Sequence, residues 1–134
     1  MSDSDFQIPN DDDVSPADIH PDADLAGADL SKSLLAGANL AGADLSEAIL
    51  TRASLRDANL VEADLSDANL NRAVLNEADL TEVDLSNASL TQTKLVGVDL
   101  SDADLTGARC PAADVSDADL TGANVSDAIL LHTK

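Results

Sequence analysis

Aspartate recurs at Asp24, Asp44, Asp64, Asp84 and Asp104, twenty residues apart, with Asn124 closing the series. A second series runs Asn39, Asn59, Asp79, Asp99 and Asp119. Carboxylate oxygens suit hard cations, which take about six to eight oxygens from several directions. A flat row wraps nothing, so no metal site is expected. The basic residues keep the same interval: Lys32, Arg52 and Arg72 form one series, and Arg56, Lys94 and Arg109 lie near it. His20 falls in the expected arm and His132 in the tail, and both are expected to be surface histidines. Cys110 stands alone, which rules out an internal disulfide or a cysteine metal site. The six glycines are scattered singly and form no phosphate loop. No cofactor and no catalysis are expected.

The chain has 134 residues, one domain's worth. It carries 26 acids against seven bases, a formal charge of −19. That charge argues against bare nucleic acid or an anionic membrane as a partner. Salt shortens the range of like-charge repulsion to about 3 Å at 1 M, so the composition suits a salt-rich, halophilic cytoplasm. Hydrophobic content is 44%, too high for a disordered chain. Phe6 is the only aromatic residue, so the core is expected to be aliphatic. No apolar run approaches the roughly 20 residues of a membrane span. The start "MSDSDFQIPN" lacks the basic and apolar regions of a signal peptide. A cytoplasmic location is the expectation.

The elements that place these residues follow from a period of five. In "ANLAGADLSEAIL", Leu40, Leu45 and Leu50 are five apart, with alanine two residues before each. From position 25 to 130 every fifth residue is Leu except Cys110, Val115 and Val125. In a helix, a step of five would scatter the leucines around the axis. In a flat strand, it would send them to alternate faces. Ala and Leu two apart do share one strand face. A short extended piece, then a corner, then another piece satisfies both facts. If each corner turns about 90°, four pieces close a square of 20 residues, and the next coil stacks about 4.8 Å away. Gly27, Gly37, Gly42, Gly97, Gly107 and Gly122 fall at the corners, where a permissive backbone is useful.

The units "AGADL", "AGANL", "SDANL" and "TGANV" follow the pattern A(D/N)LXX and resemble the pentapeptide-repeat family. The resemblance implies an all-β fold, a right-handed quadrilateral β-helix. The 22 units make about five and a half coils, roughly 26 Å long at the strand spacing. Three regions are expected: an acidic arm over 1–22, the β-helix over 23–130, and a tail over 131–134. Phe6, Ile8, Val14 and Ile19 are the apolar groups available to cover the N-terminal end. A first imperfect unit is expected near Ala17. Family members often end in a capping or dimerising helix, and "AILLHTK" offers none. A homodimer through the C-terminal coil is therefore an expectation.

Taken modulo 20, the surface divides in two. The acidic half holds Asp24, Asp44, Asp64, Asp84, Asp104, Asp79, Asp99 and Asp119. Like charges about 4.8 Å apart repel by about 1 kcal/mol per pair in water, so this ladder is expected to be strained. The other half holds Lys32, Arg52, Arg72, Arg56, Lys94 and Arg109, with the outward aliphatics Leu34, Ile49 and Val74. It is the expected face for a protein partner. The function expected is a non-catalytic scaffold or protein-interaction module. The alternative is DNA mimicry, since some members of the resembled family bind DNA gyrase and imitate DNA. Gyrase or another DNA-binding protein would then be the partner. Those members are generally longer and carry loops, and no insertion breaks the register here between Ala23 and Leu130.

Overall fold

The structure is a computed structural model that describes residues 5–134; Met1 to Ser4 of the expected arm lie outside the described residues. The chain winds as a right-handed quadrilateral β-helix. Its four walls are recorded by parallel bridges between residues twenty apart. The first wall runs Asp24, Asp44, Asp64, Asp84, Asp104, Asn124, and the second Asp29, Ile49, Asn69, Ser89, Arg109, Ile129. The third runs Leu34, Ser54, Val74, Lys94, Asp114, and the fourth Asn39, Asn59, Asp79, Asp99, Asp119.

The repeat has a physical reason, visible in where its five backbone N–H groups go. In the unit around Leu45, the Leu45 N–H donates to Asp64 O in the next coil at 2.7 Å. The Asp44 N–H donates to Ala23 O in the previous coil at 2.9 Å. The Glu47 N–H donates to Ser66 O at 2.9 Å, and the Ala48 N–H closes the corner on Leu45 O at 3.1 Å. The fifth, from Ser46, is caught by the side chain of Asp44 at 3.0 Å. Asp or Asn just before the leucine is thus the acceptor for the one amide that the coils leave unpaired, as in an Asx turn.

Each corner is a four-residue turn from one leucine to the next alanine. Its third residue has positive φ at every corner from Asp22 to His132. Six of these residues are glycine and seventeen are not, Lys32, Arg52, Glu62 and Arg72 among them. The pattern matches a type II turn, which requires φ > 0 there. The left-handed region costs a non-glycine residue about 1–2 kcal/mol, so corner glycines are convenient but the hydrogen bonds hold the turn without them. At Gly42 a Cβ would meet only the Asp22 carboxylate of the preceding coil, the end of an exposed side chain that can turn aside.

The leucine at every fifth position and the alanine two residues before it point inward on all four walls and are buried from Ala23 to Ala113. Ser33 and Thr93 take the alanine position and are also buried. Thr93 Oγ1 donates to Leu70 O at 2.7 Å, whereas Ser33 Oγ has no partner among the described residues. Thr133 repeats the threonine solution, donating to Cys110 O at 2.6 Å. The acceptor lies 23 residues earlier in both cases. For Ser33 that position falls in the arm, which takes a different path.

The arm lies against the N-terminal end. Phe6 is 6% exposed and Ile19 3% exposed within the core cluster, and Ile8 and Val14 pack against it. Gln7 pairs antiparallel with Leu34 through reciprocal bonds of 3.2 and 2.8 Å. Asp11 Oδ2 accepts from the Asp29 N–H at 3.0 Å, and Asn10 Nδ2 donates to Ser31 O at 2.8 Å. These contacts pair edge groups that would otherwise be open to another chain. The first corner is His20 to Ala23, with φ of 60° at Asp22.

Candidate interaction surface

The outward residues divide by exposure as well as by charge. Residues just after each leucine are mostly half-buried between coils and those just before it are half-buried or exposed, whereas the third residue of each corner is nearly always exposed. The corners, more than the walls, present side chains to solvent.

On the first and fourth walls the residue before each leucine is Asp or Asn without exception, from Asp24 to Asn124. Nine aspartates across the molecule accept at Oδ1 from both the N–H and the hydroxyl of the Ser or Thr two residues on. Asp64 does so with Ser66 at 2.9 and 2.6 Å, and Asp104 with Thr106 at 2.9 and 2.5 Å. Asp99 and Ser101 form the same pair. The recurring Asp-Leu-Ser and Asp-Leu-Thr triplets carry this signal in the sequence, although charge alone does not disclose it.

These bonds change the electrostatics expected of the ladder. The hydroxyls of Ser46, Ser101, Thr106 and Thr121, followed by the backbone N–H groups beside them, hold Asp44, Asp99, Asp104 and Asp119 below the usual aspartate value. At Asp119 the neighbouring Asp99 charge opposes this, as the smallest influence. Repulsion prevails at a corner instead. Glu62, Glu82 and Asp102 stack between the fourth and first walls. A hydrogen bond with Glu62, then the Glu62 charge, raises Glu82 above the usual glutamate value, with Asp102 adding to it. The clearest repulsion therefore lies in this corner column, while hydroxyl donors favour the charged form of Asp44, Asp99, Asp104 and Asp119 on the walls.

The second and third walls break the Asx rule. Before their inward residues stand Leu34, Ile49, Ser54, Val74, Ser89, Lys94, Arg109 and Ile129, with Asp or Asn only at 29, 69 and 114. The amide left over is handled differently. Asn71 Oδ1 accepts from Thr91 N–H and Asn76 Oδ1 from Val96 N–H, both at 3.0 Å across coils. After Arg109 and Cys110 stands Pro111, which has no N–H to satisfy.

The corner between these two walls carries Lys32, Arg52, Arg72, Gln92, Ala112 and His132 in one column. It holds no acid, whereas each of the other three corners holds several. Lys32, Arg52 and Arg72 are exposed, and among the described residues none of them forms an ion pair. Arg72 Nε donates to Gln92 Oε1 at 2.9 Å. Leu34 and Ile49 flank the column, 48% and 40% exposed, while Val74 is half-buried. Arg56, Lys94 and Arg109 are exposed on the flanking walls.

At the C-terminal end the core residues Leu120, Val125 and Leu130 are 40–50% exposed. They help to line an apolar cavity of about 250 Å³ together with Leu105, Cys110 and Val115. Cys110 itself is buried, and burial pushes its thiol up to about 11, well away from a reactive thiolate. His20 lies near the first corner, its Nδ1 2.9 Å from Pro21 O, and His132 ends the basic corner column. Among the described residues no group of three or more His, Cys, Asp or Glu could hold a metal ion. Nor is any helix there long and apolar enough to cross a membrane.

Among known proteins, similarity lies in one family. No curated protein matches the chain. Among solved structures, the pentapeptide repeat protein Rfr23 from the cyanobacterium Cyanothece 51142 is 42% identical, with a TM-score of 0.64. That match covers 64% of this chain and 58% of Rfr23, so the chain spans little more than half of that relative. HetL, a pentapeptide repeat protein from Nostoc sp. strain PCC 7120, is 30% identical over 80% of this chain and 72% of its own, with a TM-score of 0.31. QnrB1, a plasmid-mediated fluoroquinolone resistance protein, is 21% identical over 85% of this chain and 66% of its own, with a TM-score of 0.49. The family model for pentapeptide repeats matches in eight copies over 23–60, 48–87, 58–97, 84–122 and 99–133. With these matches spanning the coils from Ala23 to Thr133, the chain belongs to the pentapeptide repeat family.

Proposed function

We propose that this protein is a non-catalytic interaction scaffold of a salt-rich cytoplasm, and that its second and third walls are the working face. One observation carries this reading. The first and fourth walls keep the Asx acceptor before every leucine, whereas the second and third give it up for Leu34, Ile49, Val74, Lys94 and Arg109. Natural sequences tend to break a local structural rule where a function needs the position. Released there, the chain places its cations and outward aliphatics together on a rigid surface. The acidic half serves solubility in salt. A capture experiment from lysate tests the working face: Arg52→Glu with Arg72→Glu should lose a partner that the parent protein retains. Equal capture by both would refute the assignment.

DNA mimicry is the second reading. The nineteen acids of the repeats over roughly 26 Å give about one per 1.4 Å, near the roughly 1.7 Å of duplex DNA. A supercoiling assay with DNA gyrase at high salt decides it. Inhibition abolished by Asp64→Asn, Asp84→Asn and Asp104→Asn together would support mimicry, since asparagine keeps the turn and removes the charge. The proposal also includes a homodimer through the C-terminal coil, supported by the exposure of Leu120, Val125 and Leu130. A monomeric mass by light scattering at high salt would count against it.

A further inference from the structure

We infer that the column Lys32, Arg52, Arg72 docks an acidic amphipathic helix of a partner protein, laid parallel to the solenoid axis. The inference rests on the working-face reading above and adds the chemistry and shape of the partner. Three observations carry it. The column is the one corner without an acid, and its cations have no ion pair among the described residues of a chain with 26 acids. Leu34 and Ile49 stand exposed on the walls to either side, so the strip offers apolar contact beside its charge. The spacing is set by the fold: Lys32 to Arg72 is two coil steps, about 9.6 Å at the strand separation.

That spacing selects among acidic partners. A helix rises about 10.5 Å over seven residues, and carboxylates at i, i+3 or i+4, and i+7 lie on one face. Three of them meet three cations within about 1 Å. An extended acidic strand presents same-face carboxylates about 6.8 Å apart, or about 13.6 Å over two steps, and runs out of register. Leucines beside the acidic stripe would reach Leu34 and Ile49. Exposed ion pairs contribute little each, so the contact is transient and needs those aliphatics.

The net charge of −19 adds an unusual salt dependence. At about 0.01 M salt the Debye length is about 30 Å, and the whole molecule repels an acidic peptide. At about 0.15 M it is about 8 Å, and only the local cations are felt. Affinity should therefore rise over this range. A basic partner on the acidic walls would show the opposite trend.

The test is fluorescence anisotropy with a labelled helical peptide carrying glutamates at i, i+4 and i+7 and flanking leucines. The control peptide has the same composition with a central proline. Binding should strengthen at least threefold from 0.01 to 0.15 M KCl. It should weaken at least tenfold for the proline peptide and at least tenfold for Arg52→Glu with Arg72→Glu. Those substitutions should fold, because Glu47, Glu62, Glu77 and Glu82 already occupy equivalent corners at φ of 58–65°; circular dichroism checks it. Asp64→Asn with Asp84→Asn should leave binding unchanged or tighter. Absence of binding, equal binding of the proline peptide, or indifference to the arginine reversals would overturn the inference. If the reversals abolish capture from lysate while the helical peptide still fails to bind, the working face stands and the helical partner falls.

Discussion

The two aspartate-rich walls and the two mixed walls share one backbone and one interior, yet obey different rules outside. On the first and fourth walls, Asp and Asn hold the amide that the coils cannot pair, and Ser or Thr often adds a hydroxyl to the same oxygen. On the second and third walls only Asp29, Asn69 and Asp114 do so; the Thr91 and Val96 amides are met by Asn71 and Asn76 of the preceding coil, and Pro111 has no amide to meet. The difference shows that the acidic face is partly structural. Asn59 makes the same bond to Val61 N–H, at 3.1 Å, as the aspartates do. The geometry therefore calls for an Asx side chain, and the choice of Asp over Asn is a separate decision about charge.

Core truncation should erase the contrast. Leu65→Ala on the first wall and Leu50→Ala on the second should each cost about 2–5 kcal/mol, since both leucines are fully buried. Urea unfolding at fixed salt measures both, and a consistent gap of several kcal/mol between walls would show that the interiors differ. The next largest effect should separate the walls. Asp64→Ala should cost about 1–2 kcal/mol, as loss of a capping side chain does, while Ser54→Ala on the third wall should stay within about 0.5 kcal/mol. Equal costs would erase the difference between the walls.

A smaller effect should appear within the third wall. Ser33→Ala removes a buried hydroxyl with no partner and should stabilise by about 1 kcal/mol. Thr93→Val removes a satisfied one and should destabilise by a similar amount. Thermal melts of the two variants should move in opposite directions.

The smallest effect is in pH. Glu82 is raised above 4.5 by its neighbours, so its charge opposes folding, and stability should rise slightly as pH falls through its folded value toward 4.5. Asp44 and Asp104 are lowered below 3.8 by their hydroxyl and backbone donors. Their stabilisation is complete above 3.8 and is lost as pH falls through the lower folded values. Melting temperature at constant ionic strength should thus peak in mild acid. Glu82→Gln should flatten the rise and leave the acid loss in place.

Much of this molecule could be read from spacing. The period of five, alanine before leucine, and the grouping of charges modulo 20 all follow from the chain itself. The Asp-Leu-Ser triplets were equally legible, but as charge they suggested a strained ladder, because hydroxyl and amide donors two residues away do not show in a charge count. The positive φ at residues such as Lys32 and Glu62 was not legible, since local propensity favours glycine there and the coil's hydrogen bonds override it.

The sequence by itself determined the unit: two inward residues, one turn, and one amide in need of an Asx acceptor. These are local, and five residues suffice to state them. The tertiary structure alone decided what the units meet. It placed Phe6 against the core, paired Gln7 with Leu34, left Ser33 without an acceptor and exposed Leu130. It also put Glu62 and Asp102 within reach of Glu82. Those outcomes depend on how four corners sum to a closed square and how one coil seats on the next, which is a property of the packed leucine interior rather than of any single repeat.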